Sequence, residues 1–222
     1  MSADPRRAAL RSGLDALALP AAEETVERLL AYLDLLSKWN RAYNLSAVRD
    51  PQQMVVQHLL DCLAALPPLD RHLQGRPEAR ILDVGSGAGL PGVVWALMRP
   101  AWSVCCVDAV AKKSSFVRQV AAELAIPNLH AEHARIEQLR WPAVDVVTSR
   151  AFASLADFTA LTRQHLRADG CWLAMKGKTP VDEMAALPPD VKVFHVEQLQ
   201  VPDLDGQRCL VWMRPEAAKK LG

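Results

Sequence analysis

A short apolar run that ends in a glycine-rich loop constrains the fold of this chain more than any other feature. Residues 80–92 read Arg-Ile-Leu-Asp-Val-Gly-Ser-Gly-Ala-Gly-Leu-Pro-Gly, so a hydrophobic strand runs directly into Gly85, Gly87 and Gly89. Glycine permits a tight turn and lets the backbone approach a ligand where a Cβ would collide. Pro91 then starts a helix. This order predicts the ligand-binding turn of an α/β domain.

After residue 80, short apolar runs alternate with stretches of helical periodicity. The predicted strands are Ile81–Val84, Val104–Val107, Leu129–Ala131, Val144–Thr148 and Cys171–Met175, with helices near 91–99, 112–125, 135–140 and 154–167. This alternation indicates βαβ units and a mostly parallel sheet. The last two runs, 191–199 and 209–214, are joined by a loop too short for a crossover helix. They predict an antiparallel hairpin that completes a seven-stranded, Rossmann-like α/β fold.

Helical periodicity dominates the residues before the glycine loop. Helices are expected near 5–19, 21–40 and 51–66. The third begins at Asp50-Pro51, a cap followed by a first-turn proline, and Pro67-Pro68 is expected to end it. The chain is therefore expected to comprise a helical extension and an α/β core that form one compact unit, with bounds 1–68 and 78–215.

Composition narrows the possible classes of protein. Half of the 222 residues are apolar, and the formal net charge is only +1. The chain can therefore bury a core but does not rely on a strongly basic body to hold nucleic acid, although a local basic patch can be offset elsewhere. Its five cysteines lack zinc-ligand spacing. With no signal-like N-terminus and no run of membrane-spanning length, we expect a cytoplasmic protein without a metal or a membrane anchor.

Two acids sharpen the interpretation of the glycine loop. Asp83 stands at the end of the strand before the loop, where its carboxylate can order the loop or meet a cationic ligand. Asp108 ends the next strand, where a carboxylate can accept hydrogen bonds from ribose hydroxyls. The segment 87–92 also satisfies the dinucleotide pattern, so a nicotinamide-dependent oxidoreductase is an alternative. The Asp-x-Gly-x-Gly-x-Gly form, however, resembles motif I of S-adenosylmethionine-dependent methyltransferases.

The motifs that the chain lacks narrow the range of atoms that could accept the methyl group. Neither Pro-Pro pair, at 67–68 or 188–189, fits the Asn/Asp-Pro-Pro-aromatic motif often used for exocyclic amines. No cysteine lies beside proline or threonine, as a pyrimidine C5 nucleophile usually does. Guanine N7 fits better, because its lone pair is already nucleophilic and carries no proton. The enzyme then needs mainly to align the acceptor with the methyl group.

A series of motifs makes the resemblance specific. In chain order they are Trp39-Asn-Arg-Ala-Tyr-Asn-Leu-Ser46, His58-Leu-Leu-Asp61, the glycine loop through Gly92, Ser149-Arg-Ala-Phe-Ala-Ser154, Lys176-Gly177 and Val201-Pro-x-Leu-x-Gly-x-Arg208. Together they resemble the bacterial 16S ribosomal RNA guanine-N7 methyltransferase family, also called small-subunit methyltransferase G or glucose-inhibited division protein B. The resemblance runs from about residue 21 to residue 213. It implies a monomeric class I methyltransferase acting on guanine 527, in the 530-loop region of 16S ribosomal RNA of the small subunit.

The resemblance also implies where the sites lie. The donor site would include Gly85, Gly87, Leu90, Ile136, Glu137 and Arg150, beside Asp83 and Asp108. The RNA side would be lined by basic residues, Arg135, Arg150, Lys176 and Arg208, with Arg150 and Lys176 holding phosphate or guanine during catalysis. Gln57 departs from the pattern, since relatives tend to carry a basic residue there.

Two further features are open to more than one interpretation. His58 and Asp61 lie one helical turn apart, so they can bond to each other as a structural pair or take part in the site. Arg150 directly follows a buried strand, where a guanidinium is costly without a partner, which favours a functional role. A non-catalytic ribosome-assembly factor that retains the cofactor fold is a further alternative to the enzyme.

Overall fold

The computed structural model describes residues 4–74, 76–150, 152 and 154–216. Within these ranges seven strands form one sheet. In chain order they are β1 (Arg80–Val84), β2 (Ser103–Asp108), β3 (Leu129–His133), β4 (Val144–Ser149), β5 (Leu166–Lys176), β6 (Val191–Leu199) and β7 (Arg208–Pro215). Their order across the sheet is β3-β2-β1-β4-β5-β7-β6. The first five strands are parallel, and β7 is antiparallel to both β5 and β6. The mostly parallel sheet and its C-terminal hairpin are confirmed.

The order of the strands in the sheet determines where the site lies. β1 lies between β2 and β4, and the chain winds outward through β3 before it returns to β4 on the other side of β1. The carboxyl ends of β1 and β4 therefore flank the crevice where open α/β sheets bind ligands. Because Gly85 follows β1 and Arg150 follows β4, this topology brings the glycine loop and the arginine to one edge of the sheet.

Helices cover both faces of the sheet. They are α1 (Pro5–Ala16), α2 (Glu23–Tyr43), α3 (Pro51–Met54), α4 (Asp61–Leu63), α5 (Leu66–His72), α6 (Gly92–Met98), α7 (Ala111–Glu123), α8 (Leu155–Thr162) and α9 (Val181–Ala185). On β1, Ile81 packs into the core cluster shared with α1, α2, α6 and α7, whereas Leu82 packs into the cluster shared with α8. Both faces of the strand are thus buried, which explains why Ile81, Leu82 and Val84 are all apolar.

Three sequence-based boundaries are wrong, each for an identifiable physical reason. Pro67 and Pro68 do not end a helix but stand in the first turn of α5, where a missing backbone N–H costs nothing. The helix expected at 135–140 is a single 3₁₀ turn, Ile136–Gln138, since so short a segment cannot offset the cost of helix nucleation. The helix expected at 154–167 ends at Thr162, because β5 begins at Leu166 and pairs with β4 from there.

The cysteines lie in the interior of the fold. All five are buried free thiols. None of the helices in the described ranges is long and apolar enough to cross a bilayer. Among the same residues, no group of three or more His, Cys, Asp or Glu side chains is placed to hold a metal ion.

Candidate active site

Left-handed backbone angles set the shape of the glycine loop. Gly85, Gly87 and Gly89 have φ angles of +67°, +60° and +84°, a region that other residues adopt rarely. No heavy atom lies within 4 Å of the place where a Cβ would stand on Gly85 or Gly87. The space beside these two residues is therefore open to a ligand.

Asp83 holds the loop against the helix that follows it. Its Oδ2 accepts a hydrogen bond of 2.8 Å from the backbone N–H of Gly92, the first residue of α6. The side chain is fully buried, and burial raises the pKa of its carboxyl to about 7. Asp83 lines neither of the two cavities described below. Of the two roles considered for this acid, the geometry supports ordering the loop.

A small apolar cavity lies at the carboxyl ends of β1 and β2. Its volume is about 180 Å³, and it is lined by Val84, Gly85, Val107, Asp108, Ala109, Ala134, Arg135, Ile136, Glu137, Phe152 and Leu161. The carboxylate of Asp108 accepts hydrogen bonds from the backbone N–H groups of Gly87, at 3.0 Å, and Val110, at 2.9 Å. An apolar slot beside a carboxylate fits adenosine, whose adenine can pack on Ile136 and Phe152 while the ribose meets Asp108.

A larger cleft opens on the other side of the glycine loop. Its volume is about 580 Å³, and its polar lining includes Ser46, Gln57, His58, Asp61, Ser86, Lys113, Arg150, Lys176 and Arg208. Gly85 borders both the cleft and the apolar cavity. A donor seated along the loop would therefore present its far end to a cleft lined with cationic side chains.

Asp61 holds two of these cations together. Its Oδ2 accepts a hydrogen bond of 3.2 Å from Arg150 Nη1, and its Oδ1 accepts one of 2.8 Å from Arg208 Nε. Arg150 Nη1 also donates to the backbone carbonyl of Gln57 at 3.0 Å. Arg150, whose side chain is half-buried, thus has the partners that a guanidinium withdrawn from water needs.

The pairing of His58 with Asp61 that their spacing suggested is wrong. His58 Nε2 lies 2.7 Å from Ser46 Oγ, whereas both carboxylate oxygens of Asp61 accept from arginines. Burial and the nearby Arg150 lower the pKa of His58 to about 4. His58 belongs to a π-helical turn, Val55–Leu60, that joins α3 to α4, and Asp61 is the first residue of α4. Such turns are rare and often occur at functional sites.

Lys176 has a partner that the sequence did not reveal. Its Nζ lies 3.0 Å and 2.8 Å from the two carboxylate oxygens of Glu183 in α9. Glu183 Oε2 also accepts a hydrogen bond of 2.9 Å from the backbone N–H of Leu155. The glutamate therefore ties the end of β5 to the start of α8, next to the loop that follows Arg150.

The structure brings together most, but not all, of the predicted site residues. Arg150, Lys176 and Arg208 line the cleft with Leu90, whereas Ile136 and Glu137 line the apolar cavity with Asp108. Arg135 lines that cavity too, apart from the three cations with which it was grouped. Gly87 lines the cleft. Two lining residues were not assigned to the site from the sequence. Phe152, which lines the apolar cavity, lies within the motif at residues 149–154. Lys113, which lines the cleft, could be interpreted as a phosphate contact or as part of a solvated helix face, and the second interpretation was slightly favoured.

Comparison with known proteins decides the family. A model of the family described as GidB, rRNA small subunit methyltransferase G, matches residues 25–211. The chain belongs to the rRNA small subunit methyltransferase G family. Relatives named Ribosomal RNA small subunit methyltransferase G from Acidovorax ebreus and Leptothrix cholodnii are 58% and 56% identical over 216 and 213 residues. The matches cover 94% and 96% of this chain and 95% and 97% of those relatives.

Membership in the rRNA small subunit methyltransferase G family confirms the resemblance seen in the motifs. The protein is a methyltransferase, and its methyl donor is S-adenosylmethionine. The alternative of a nicotinamide-dependent oxidoreductase was therefore wrong. TrmN from Thermus thermophilus superposes with a TM-score of 0.56 at 19% identity, over 72% of this chain and 53% of that one. A ribosomal protein L11 methylase from Lactobacillus delbrueckii gives 0.53 at 14%, over 70% and 78%. At these identities the likeness concerns the fold alone.

Proposed function

We propose that this protein transfers a methyl group from S-adenosylmethionine to N7 of a guanine in the RNA of the small ribosomal subunit. The observation that carries the proposal is the meeting of two cavities at Gly85, one apolar with a carboxylate and one lined with cations. The printed names of the relatives point to the same class of substrate. Guanine 527, in the 530-loop region of 16S ribosomal RNA, is the proposed target.

The cleft is a local basic surface in a protein whose net charge is close to zero. Four cations reach it from different elements: Lys113 from α7, Arg150 after β4, Lys176 at the end of β5 and Arg208 at the start of β7. Phosphate contacts from such residues position an RNA strand without reading its sequence. A net charge of +1 therefore does not argue against an RNA substrate.

The side chains of the cleft suit an acceptor that carries no proton. S-adenosylmethionine supplies a methyl group bonded to a positively charged sulfur, and guanine N7 already has a free lone pair. His58 is buried against Ser46, and Asp61 is held by two arginines. The task left to the chain is to hold the donor through Asp108 and Ile136, to align the base and to exclude water.

Methyl transfer to small-subunit particles tests the proposal. Particles from cells that lack this protein are incubated with radiolabelled donor, and the modified nucleoside is identified by mass spectrometry. We expect 7-methylguanosine at one RNA position. Measurable donor binding with no label on particles or free RNA would contradict the proposal and favour the non-catalytic assembly factor. Monomeric state, absence of a metal, cytoplasmic location and the division at residues 68–78 stay predictions.

Two arginine variants sharpen the assignment of the site. Arg150→Ala removes the cation that the carbonyl of Gln57 and the carboxylate of Asp61 hold in the cleft, so methyl transfer should fall at least about 100-fold, as expected for loss of a positioned charged contact. Arg28→Ala is the matched control, since Arg28 pairs with Glu24 in α2 and lines neither cavity. Full activity of the Arg150 variant would refute the site.

A further inference from the structure

Methylation at N7 restricts how an enzyme can hold guanine. N7 and its in-plane approach must stay free for the donor, so contacts to the adjoining O6 side have little room. The opposite edge carries the N1–H and the 2-amino group, which are two parallel donors. A carboxylate offers two parallel acceptors and matches this edge, whereas lysine and arginine, which only donate, do not.

Asp61 is the one carboxylate among the described residues that line the cleft. It is 4% exposed, and its two oxygens take one hydrogen bond each from Arg150 and Arg208. A carboxylate oxygen can accept two hydrogen bonds. The arginines therefore orient the group while each oxygen keeps an acceptor position.

The arrangement is hard to explain as a phosphate site alone. A carboxylate between two guanidinium groups weakens their attraction for an anion. Burying that carboxylate also carries a desolvation cost that hydrogen bonds must offset. Both penalties make sense if the acid itself meets the substrate. We infer that Asp61 recognises the target guanine by accepting hydrogen bonds from its N1–H and 2-amino group, an inference that rests on the proposed function.

The same contact would act on the rate as well as on binding. As N7 gains the methyl group, positive charge spreads over the purine, and the N1–H and amino group become stronger donors. Their hydrogen bonds to an anionic carboxylate strengthen at that moment. An interaction that is stronger in the transition state than in the ground state raises kcat. Asp61 is thus a specificity-determining residue that also stabilises the charge that develops on the base.

Replacing the target guanine with inosine tests this directly, because inosine lacks only the 2-amino group. Synthetic RNA with guanine or inosine at the methylated position is ligated into 16S ribosomal RNA and assembled into small-subunit particles. The initial rate of methyl transfer is measured on both. The wild-type protein should prefer guanine by about tenfold or more, the discrimination typical of one lost contact in a paired recognition.

Two variants separate base recognition from support of the arginines. Asp61→Asn keeps the shape but places an amide N–H₂ where an acceptor is needed, so the preference for guanine over inosine should fall to about one. Arg208→Gln is the matched control: it removes the Arg208 Nε contact with Asp61 and leaves the carboxylate. Its rates should fall on both particles, with the wild-type preference kept. Binding of S-adenosylhomocysteine by calorimetry verifies that each variant is folded.

The ratio of the two rates makes each outcome decisive. Any effect of inosine on the particle itself cancels between the variants, as in a double-mutant cycle. A wild-type protein that methylates both particles equally overturns the inference and leaves the proposed function intact. So does an Asp61→Asn variant that binds S-adenosylhomocysteine and keeps the guanine preference. No transfer to guanine particles by the wild type overturns both.

Discussion

Replacing Gly92 with alanine tests how tightly the glycine loop is packed against the sheet. The backbone N–H of Gly92 donates to Asp83, so this residue connects α6 to the end of β1. A Cβ built on Gly92 would lie 2.4 Å from Cys106 Sγ and 3.0 Å from Asp83 Oδ2. Because Cys106 is buried in β2, its sulfur cannot simply turn toward solvent.

The expected cost follows from these distances. Forcing a methyl group into a packed core costs about 1–3 kcal/mol. Alanine recovers less than about 1 kcal/mol of helix propensity, since position 92 is only the first residue of α6. The free energy of unfolding should therefore fall by about 1–2 kcal/mol, which lowers Tm by about 2–8 °C for a chain of this size. The displaced loop should also bind S-adenosylhomocysteine less tightly.

Urea unfolding and calorimetric binding measure both effects. The double variant Gly92→Ala/Cys106→Ala removes the sulfur that the new methyl meets, so the two substitutions should couple favourably by about 1–2 kcal/mol. Gly177→Ala is the control, because its Cβ would meet nothing closer than the Gln207 carbonyl at 4.0 Å. Strict additivity of the two substitutions, or a Gly92→Ala protein as stable as the wild type, would refute the packing argument.

Three further predictions concern the surroundings of the loop. The pKa of His58 is about 4 in the folded protein, against 6.5 in the unfolded chain. The stabilising contribution of the neutral ring is therefore fully present above pH 6.5. It is lost as the pH falls toward 4, by up to about 3 kcal/mol. Urea midpoints at pH 7 and pH 5 should differ less in His58→Gln; an unchanged difference would contradict this. Tyr32→Phe removes a buried 2.9 Å hydrogen bond to the Ala88 carbonyl and should cost about 1 kcal/mol in urea unfolding; no loss would show that the bond is dispensable. Asp108→Ala should raise the dissociation constant of S-adenosylhomocysteine at least about tenfold by calorimetry, the effect of losing a charged hydrogen bond, and unaltered affinity would remove Asp108 from the donor site.

Features that depend on neighbouring residues could be predicted from the sequence. The shape of the glycine loop is one such feature. Only glycine adopts the φ values at 85, 87 and 89 without strain, so the three glycines indicate a tight turn. The parallel strands are another, because burial on both faces favours a run of mostly apolar residues. One predicted boundary failed because distant pairing overrode the local pattern. β5 begins at Leu166, within a stretch of helical periodicity, because β4 lies beside it.

The charged centre of the cleft depended on the tertiary structure. Asp61 lies 89 residues from Arg150 and 147 from Arg208, and no spacing rule links them. The lysine at position 176 could be proposed from a motif, but its partner Glu183 could not. Which charges meet depends on how the strands are ordered and on where the helical extension packs. A periodic sequence pattern shows which face of a helix or strand is buried. An ion pair depends on which of these faces come together in the fold, and the pattern does not contain that information.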